Sequence, residues 1–155
     1  MTTLQLKSVK DKIKVKHLFL GFSLLLPIIV GVIAVVFYPN YLSHFTLPHT
    51  LFPLILFLII SPVLEEVVFR GLFQDFLLSW LNNKFIAIGL LNIGFAVFHY
   101  NINHDPTYMF LVFCCGIILS VQKLKYGKLI YPIFFHAYYN LSFMFMHLTY
   151  VLWSH

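Results

Sequence analysis

The residues of this chain best equipped for chemistry are Glu65, Glu66, Arg70, His99, His136 and Asn140. Glu66 and Arg70 are four residues apart with the acid first, the favourable order for a helical ion pair. Glu65 lies ~100° around a helix from Glu66, so the two carboxylates need not share one partner. Arg70 can neutralise one of them. The other is then free to act as a base, its proton affinity tuned by burial and by neighbours. His136 and Asn140 are also four apart, so on a helix they project from one face.

These residues sit in an unusually apolar chain. Of 155 residues, 61% are hydrophobic and 10% charged, against roughly 45–50% and about 25% in ordinary soluble proteins. The mean hydropathy is +0.90. A soluble fold of this size cannot hide so much apolar surface. Five helices of ~20 residues would use about 100 positions, close to the number of hydrophobic residues present. The composition excludes a soluble globular enzyme, a disordered chain and a nucleic-acid-binding module. It predicts an all-α, polytopic membrane helical bundle of about five transmembrane helices.

The apolar runs place those spans at about 17–38, 50–81, 85–100, 107–121 and 129–153. The second is one long helix bent near Pro62. Polar turns separate them at Asn82-Asn83-Lys84, at 101–106 and at Lys123 to Lys128. The organisation is a basic tail (1–16) followed by a single membrane domain (17–155). Within it, 17–38 is an uncleaved anchor, because the run is too long for a signal peptide and lacks a small-residue cleavage site. No internal repeat or low-complexity tract is evident.

Direction follows from the basic residues. Lys7, Lys10, Lys12, Lys14, Lys16, Lys84, Lys123, Lys125 and Lys128 all fall on one side of a five-span arrangement. The opposite loops, 39–49 and 101–106, have none. The tenth basic residue, Arg70, lies within a span. This asymmetry predicts an N-in, C-out topology. The net charge of +5 therefore reads as a topogenic signal and not as a nucleic-acid surface. Cys114 and Cys115 are adjacent, a spacing that disfavours a mutual disulfide.

An ionisable side chain within a span is costly and marks a functional site by default. Height along the spans can be counted. Glu65 and His99 are each 17 residues from the turn at 82, which puts both roughly 20–25 Å from it. Asn140, counted from Tyr126, comes to roughly 20 Å, with His136 one turn lower. A carboxylate, two imidazoles and an amide are thus expected in the outer half of the bilayer.

Three motifs in order on successive segments, Glu65-Glu66 with Arg70, Phe95 with His99, and His136 with Asn140, resemble those of the CPBP family, the CAAX proteases and bacteriocin-processing enzymes also called Abi. Pro62, Phe69, Gly71 and Gln74 also look like the family's first motif. The resemblance covers about residues 50–150 as a catalytic core. It implies an intramembrane endopeptidase acting on a membrane-anchored protein or peptide. By that resemblance Glu65 is the general base that activates water, and His99 assists. His136 and Asn140 stabilise the oxyanion, while Glu66 and Arg70 support the site. The resemblance also brings zinc into question, with Glu65, His99, His136 and Asn140 as its ligands. The His-Glu-x-x-His helix of zincins is absent and Asn is an unusual zinc ligand, so a metal-free glutamic mechanism is favoured. The compact pattern resembles small bacterial members that process C-terminal sorting tails, which implies a multi-pass protein of the bacterial inner membrane.

Other readings carry different marks. A non-catalytic scaffold or immunity protein of the same family would tolerate loss of the Glu65 carboxylate. A small transporter with Glu65 and His99 as a proton relay would show proton-coupled flux, but the inverted repeat of such proteins is missing. His44, His49, His104 and His155 read as solvated loop residues, and His147 as packed or interfacial.

Overall fold

The structure is a computed structural model whose described residues are 15, 17–29, 32, 51–103 and 106–153, with backbone alone at 101–103 and 153. Lys7, Lys10, Lys12, Lys14 and Lys16, most of the expected anchor beyond Ile29, the loop 39–49, and His44, His49, His104 and His155 lie outside them.

Every element among the described residues is helical. They are α1 (His17–Ile29), α2 (Leu51–Trp80), α3 (Lys84–Asn103), α4 (Pro106–Tyr126) and α5 (Ile130–Trp153). By length and composition α2 and α4 can cross a membrane. The chain forms two compact units. One is Pro48–Asn140, which holds α2, α3, α4 and the first part of α5. The other combines 1–47 with 141–155 and holds α1 and the end of α5. The six candidate residues all lie in the first.

The ends of the helices have local causes. Asn83 caps α3, its Oδ1 accepting from the Phe85 and Ile86 amides at 2.9 and 3.3 Å. At the end of α4, Gly127 takes φ +69°, a left-handed conformation natural to glycine, and its amide donates to the Lys123 carbonyl at 2.8 Å. The sequence places Lys123 and Lys125 in a loop, but both belong to the last turn of α4. Cations there complement the negative end of the helix dipole. Likewise α3 runs on to Asn103, past the expected turn at 101.

The first unit is polar inside and apolar outside. Glu66, Arg70, Asn92, Ser120 and Gln122 are fully buried, while Leu51, Phe52, Leu64, Leu72, Phe76 and Trp80 stand exposed along α2. Water would reverse this distribution. Hydrocarbon favours it, because polar side chains must find partners within the bundle. Small residues permit the close packing this needs. A methyl at Gly116 would come within 2.4 Å of Asn92 Oδ1 and 3.1 Å of Arg70 Nη2.

Gly116→Ala should therefore destabilise the protein by about 1–3 kcal/mol, the usual cost of overpacking. Thermal unfolding in detergent measures it. An unchanged midpoint would show that Asn92 and Arg70 yield without loss.

Candidate active site

The site is built on a buried cation. Arg70 Nη1 donates to Glu66 Oε1 at 3.0 Å, and both side chains are fully buried. Its Nη2 donates to Asn92 Oδ1 of α3 at 3.2 Å and to the Gly116 carbonyl of α4 at 3.1 Å. The guanidinium carbon lies 4.2 Å from the centroid of the Phe95 ring, a cation–π contact. Asn92 in turn donates to the Ile88 carbonyl at 2.8 Å and to Ser120 Oγ at 3.0 Å. One turn beyond Arg70, Gln74 donates to the Ser120 carbonyl at 3.1 Å.

Glu66 Oε1 has a second partner. His136 Nδ1 of α5 lies 2.7 Å away. A carboxylate can only accept, so Nδ1 carries the hydrogen. His99 is held in the same way, its Nδ1 2.9 Å from the Phe95 carbonyl. Both rings then turn their Nε2 atoms toward one carboxylate oxygen. His99 Nε2 is 3.5 Å from Glu65 Oε2, and His136 Nε2 is 3.8 Å from it. That oxygen is buried and accepts no hydrogen bond among the described residues. The other, Oε1, accepts from the Ser61 hydroxyl.

The local form of α2 sets this up. The six residues Ser61–Glu66 are α-helical, flanked by wider π-helical turns at Leu56–Ile60 and Val67–Phe73. Such turns concentrate at functional sites. In the first, the Ser61 amide bonds the Leu56 carbonyl five residues back. In that register the Phe57 carbonyl would be served by residue 62, but Pro62 has no N–H. Asn140 Nδ2 of α5 donates to it instead, at 2.9 Å. A neighbouring helix thus satisfies a carbonyl that proline leaves over, as membrane interiors require.

Residues 47–142 match the family described as Type II CAAX prenyl endopeptidase Rce1-like. That stretch is more than half of the chain.

The chain belongs to this family.

No curated protein and no solved structure matches it. The Rce1-like family is a family of membrane proteases, and the match confirms the CPBP resemblance read from the three motifs. It spans all six candidate residues.

Of the residues expected at the Rce1-like site, Glu65, His99 and His136 come together, with Glu66 and Arg70 directly behind them. The equal heights counted for Glu65 and His99 agree with their 3.5 Å separation. Asn140 is placed differently from its counted height, reaching Phe57 rather than the level of Glu65. The count treated the turn after α4 as level with the turn at 82. A methyl on Gly71 would meet Leu129 Cδ1 at 3.2 Å, so α5 starts near the height of Gly71 and every residue on it sits farther out.

The donor set can be tested for zinc. Zinc bonds to nitrogen and oxygen are about 2.0–2.2 Å, and catalytic sites take three protein ligands with water in the fourth position. Among the described residues no three His, Cys, Asp or Glu side chains are placed to hold one metal ion. Asn140 turns its amide to Phe57.

Sequence reasoning missed Ser61, Asn92 and Ser120. A signal existed for two of them. Ser61 stands one helical turn before Glu65, and Asn92 two turns before His99 on the same face. Gln74 continues the stripe of Glu66 and Arg70 at intervals of four.

Glu66→Gln should cost about 3–5 kcal/mol of stability, because it leaves Arg70 buried beside a neutral amide. Glu65→Gln should cost much less, since no fixed cation depends on Glu65. Paired unfolding curves in detergent check the order; equal losses would contradict it.

Proposed function

We propose that this chain is an intramembrane endopeptidase that cleaves a membrane-anchored protein or peptide near the bilayer surface, using water activated by Glu65. The observation that carries this is the convergence of two imidazole Nε2 atoms on Glu65 Oε2, at 3.5 and 3.8 Å. Both rings are locked by their Nδ1 bonds. A water between Glu65 Oε2 and His99 Nε2 gives its proton to the carboxylate as its oxygen attacks the scissile carbonyl. The carbonyl oxygen becomes an oxyanion.

His136 and Asn140 supply its stabilisation, His136 in the imidazolium form, in which Nε2 as well as Nδ1 carries a hydrogen. The Asn140 amide has two N–H groups, one bonded to Phe57 and the second offered to the oxyanion. The proton taken by Glu65 then passes to the leaving amine, which returns the carboxylate. Glu66 keeps the His136 ring oriented, and Arg70 holds the Glu66 carboxylate in place. Carboxylate, imidazole and amide suffice for every step, so the reaction is metal-free.

The protein crosses the bilayer five times with its N-terminus in the cytoplasm, in a bacterial inner membrane. Support comes from Lys84, Lys123, Lys125 and Lys128, which cluster at the turns following α2 and α4. Lys123 Nζ also pairs with Asp75 Oδ2 at 3.0 Å, near the end of α2. A C-terminal phosphatase reporter should be active, since that enzyme works only outside the cytoplasm. A reporter active solely in the cytoplasm would refute the topology.

The test of function uses purified protein in liposomes with fluorogenic peptides carrying C-terminal apolar tails. Wild type should cleave, and Glu65→Gln should lose turnover by orders of magnitude because an amide cannot take the proton. Strong chelator should leave wild-type activity intact, and elemental analysis should find no stoichiometric metal. Full cleavage by Glu65→Gln would sink the base assignment. One zinc per chain, with activity that follows it, would overturn the metal-free mechanism.

A further inference from the structure

Glu65 has two oxygens, and the structure treats them differently. Oε2 faces the two imidazoles and accepts no hydrogen bond among the described residues. Oε1 accepts from the Ser61 hydroxyl, one turn earlier on the same helix. A serine in a helix ordinarily turns its hydroxyl back to the carbonyl three or four residues before it. For Ser61 the carbonyl four residues back is that of Phe57, which already receives Asn140 Nδ2 at 2.9 Å. The hydroxyl points forward to the carboxylate instead.

We propose that Ser61 is a positioning residue for the reaction. Its hydroxyl fixes the Glu65 carboxylate so that Oε2 alone meets the attacking water. A glutamate side chain has three rotatable bonds, and nothing else among the hydrogen bonds described holds it. Reaction geometry tolerates little error, and a misplacement of about 1 Å can cost ~100-fold. Asn140 is thereby connected to the base through one carbonyl. It bonds Phe57 from α5, Ser61 is turned away from Phe57, and Ser61 holds Glu65. The proposal rests on Glu65 being the base.

The experiment compares Ser61→Thr, Ser61→Val and Ser61→Ala in the full chain with the fluorogenic peptide that wild type cleaves best. Glu65→Gln runs in parallel. Threonine and valine have the same shape and differ in the hydroxyl. The expected result is that Ser61→Thr keeps at least half of wild-type kcat. Ser61→Val and Ser61→Ala should lose about 10–100-fold in kcat, with KM and unfolding midpoint little changed.

Equal kcat for Ser61→Thr and Ser61→Val would overturn the proposal, and an inactive Glu65→Gln beside it would leave the base reading standing. A rise in KM at constant kcat would overturn it too, placing Ser61 in substrate binding. Failure of Ser61→Val to fold while Ser61→Thr folds would make the hydroxyl a structural requirement, which is again a different role. If Glu65→Gln cleaves normally, the base reading itself is what fails.

Discussion

The buried guanidinium of Arg70 is the constraint around which the first unit is arranged. A cation in hydrocarbon costs several kcal/mol unless every donor finds a partner. Arg70 meets most of that demand, from three directions: both Nη atoms are bonded, while Nε has no partner among the described residues. Its own helix supplies Glu66, α3 supplies Asn92 and the Phe95 ring, and α4 supplies the Gly116 carbonyl. The Glu66 oxygen that balances its charge also takes His136 from α5. One charge therefore sets the separation and register of all four helices. Van der Waals packing between apolar helices in lipid has no comparable specificity.

The same constraint explains why two adjacent carboxylates can differ in role. Side by side on a helix they point ~100° apart, toward different neighbours. Glu66 meets a cation and an imidazole N–H on Oε1, while its Oε2 is buried without a partner among the described residues. Glu65 meets a hydroxyl on one oxygen and two Nε2 atoms on the other.

Much of this was legible in the sequence because it depends on side-chain type and helical count. Glu66 and Arg70 pair as their spacing of four requires. Glu65 and His99 meet because a short turn joins α2 and α3, which makes counting from it reliable. What escaped has two physical sources. The contribution of α4 is made through the carbonyls of Gly116 and Ser120, and backbone acceptors leave no mark in residue type. The height of Asn140 could not be counted because α5 begins beside Gly71 rather than level with the turn at 82. Small polar residues such as Ser61 and Asn92 also read as packing until a charged neighbour is placed beside them.

Pro62 joins these two halves of the site. A proline inside a spanning helix is tolerable if the carbonyl it fails to serve is satisfied from elsewhere. Here the donor is Asn140, the last residue of the His-x-x-x-Asn motif. The spacing of that motif follows from the geometry. His136 must reach Glu66, and one turn farther out on α5 an amide must reach Phe57, beyond Ser61 on α2. A longer or shorter interval would turn one of the two side chains off the shared face. The motif on α5 and the proline before Glu65-Glu66 on α2 thus answer each other. The π-helical turn between Leu56 and Ile60 is where the two registers are reconciled.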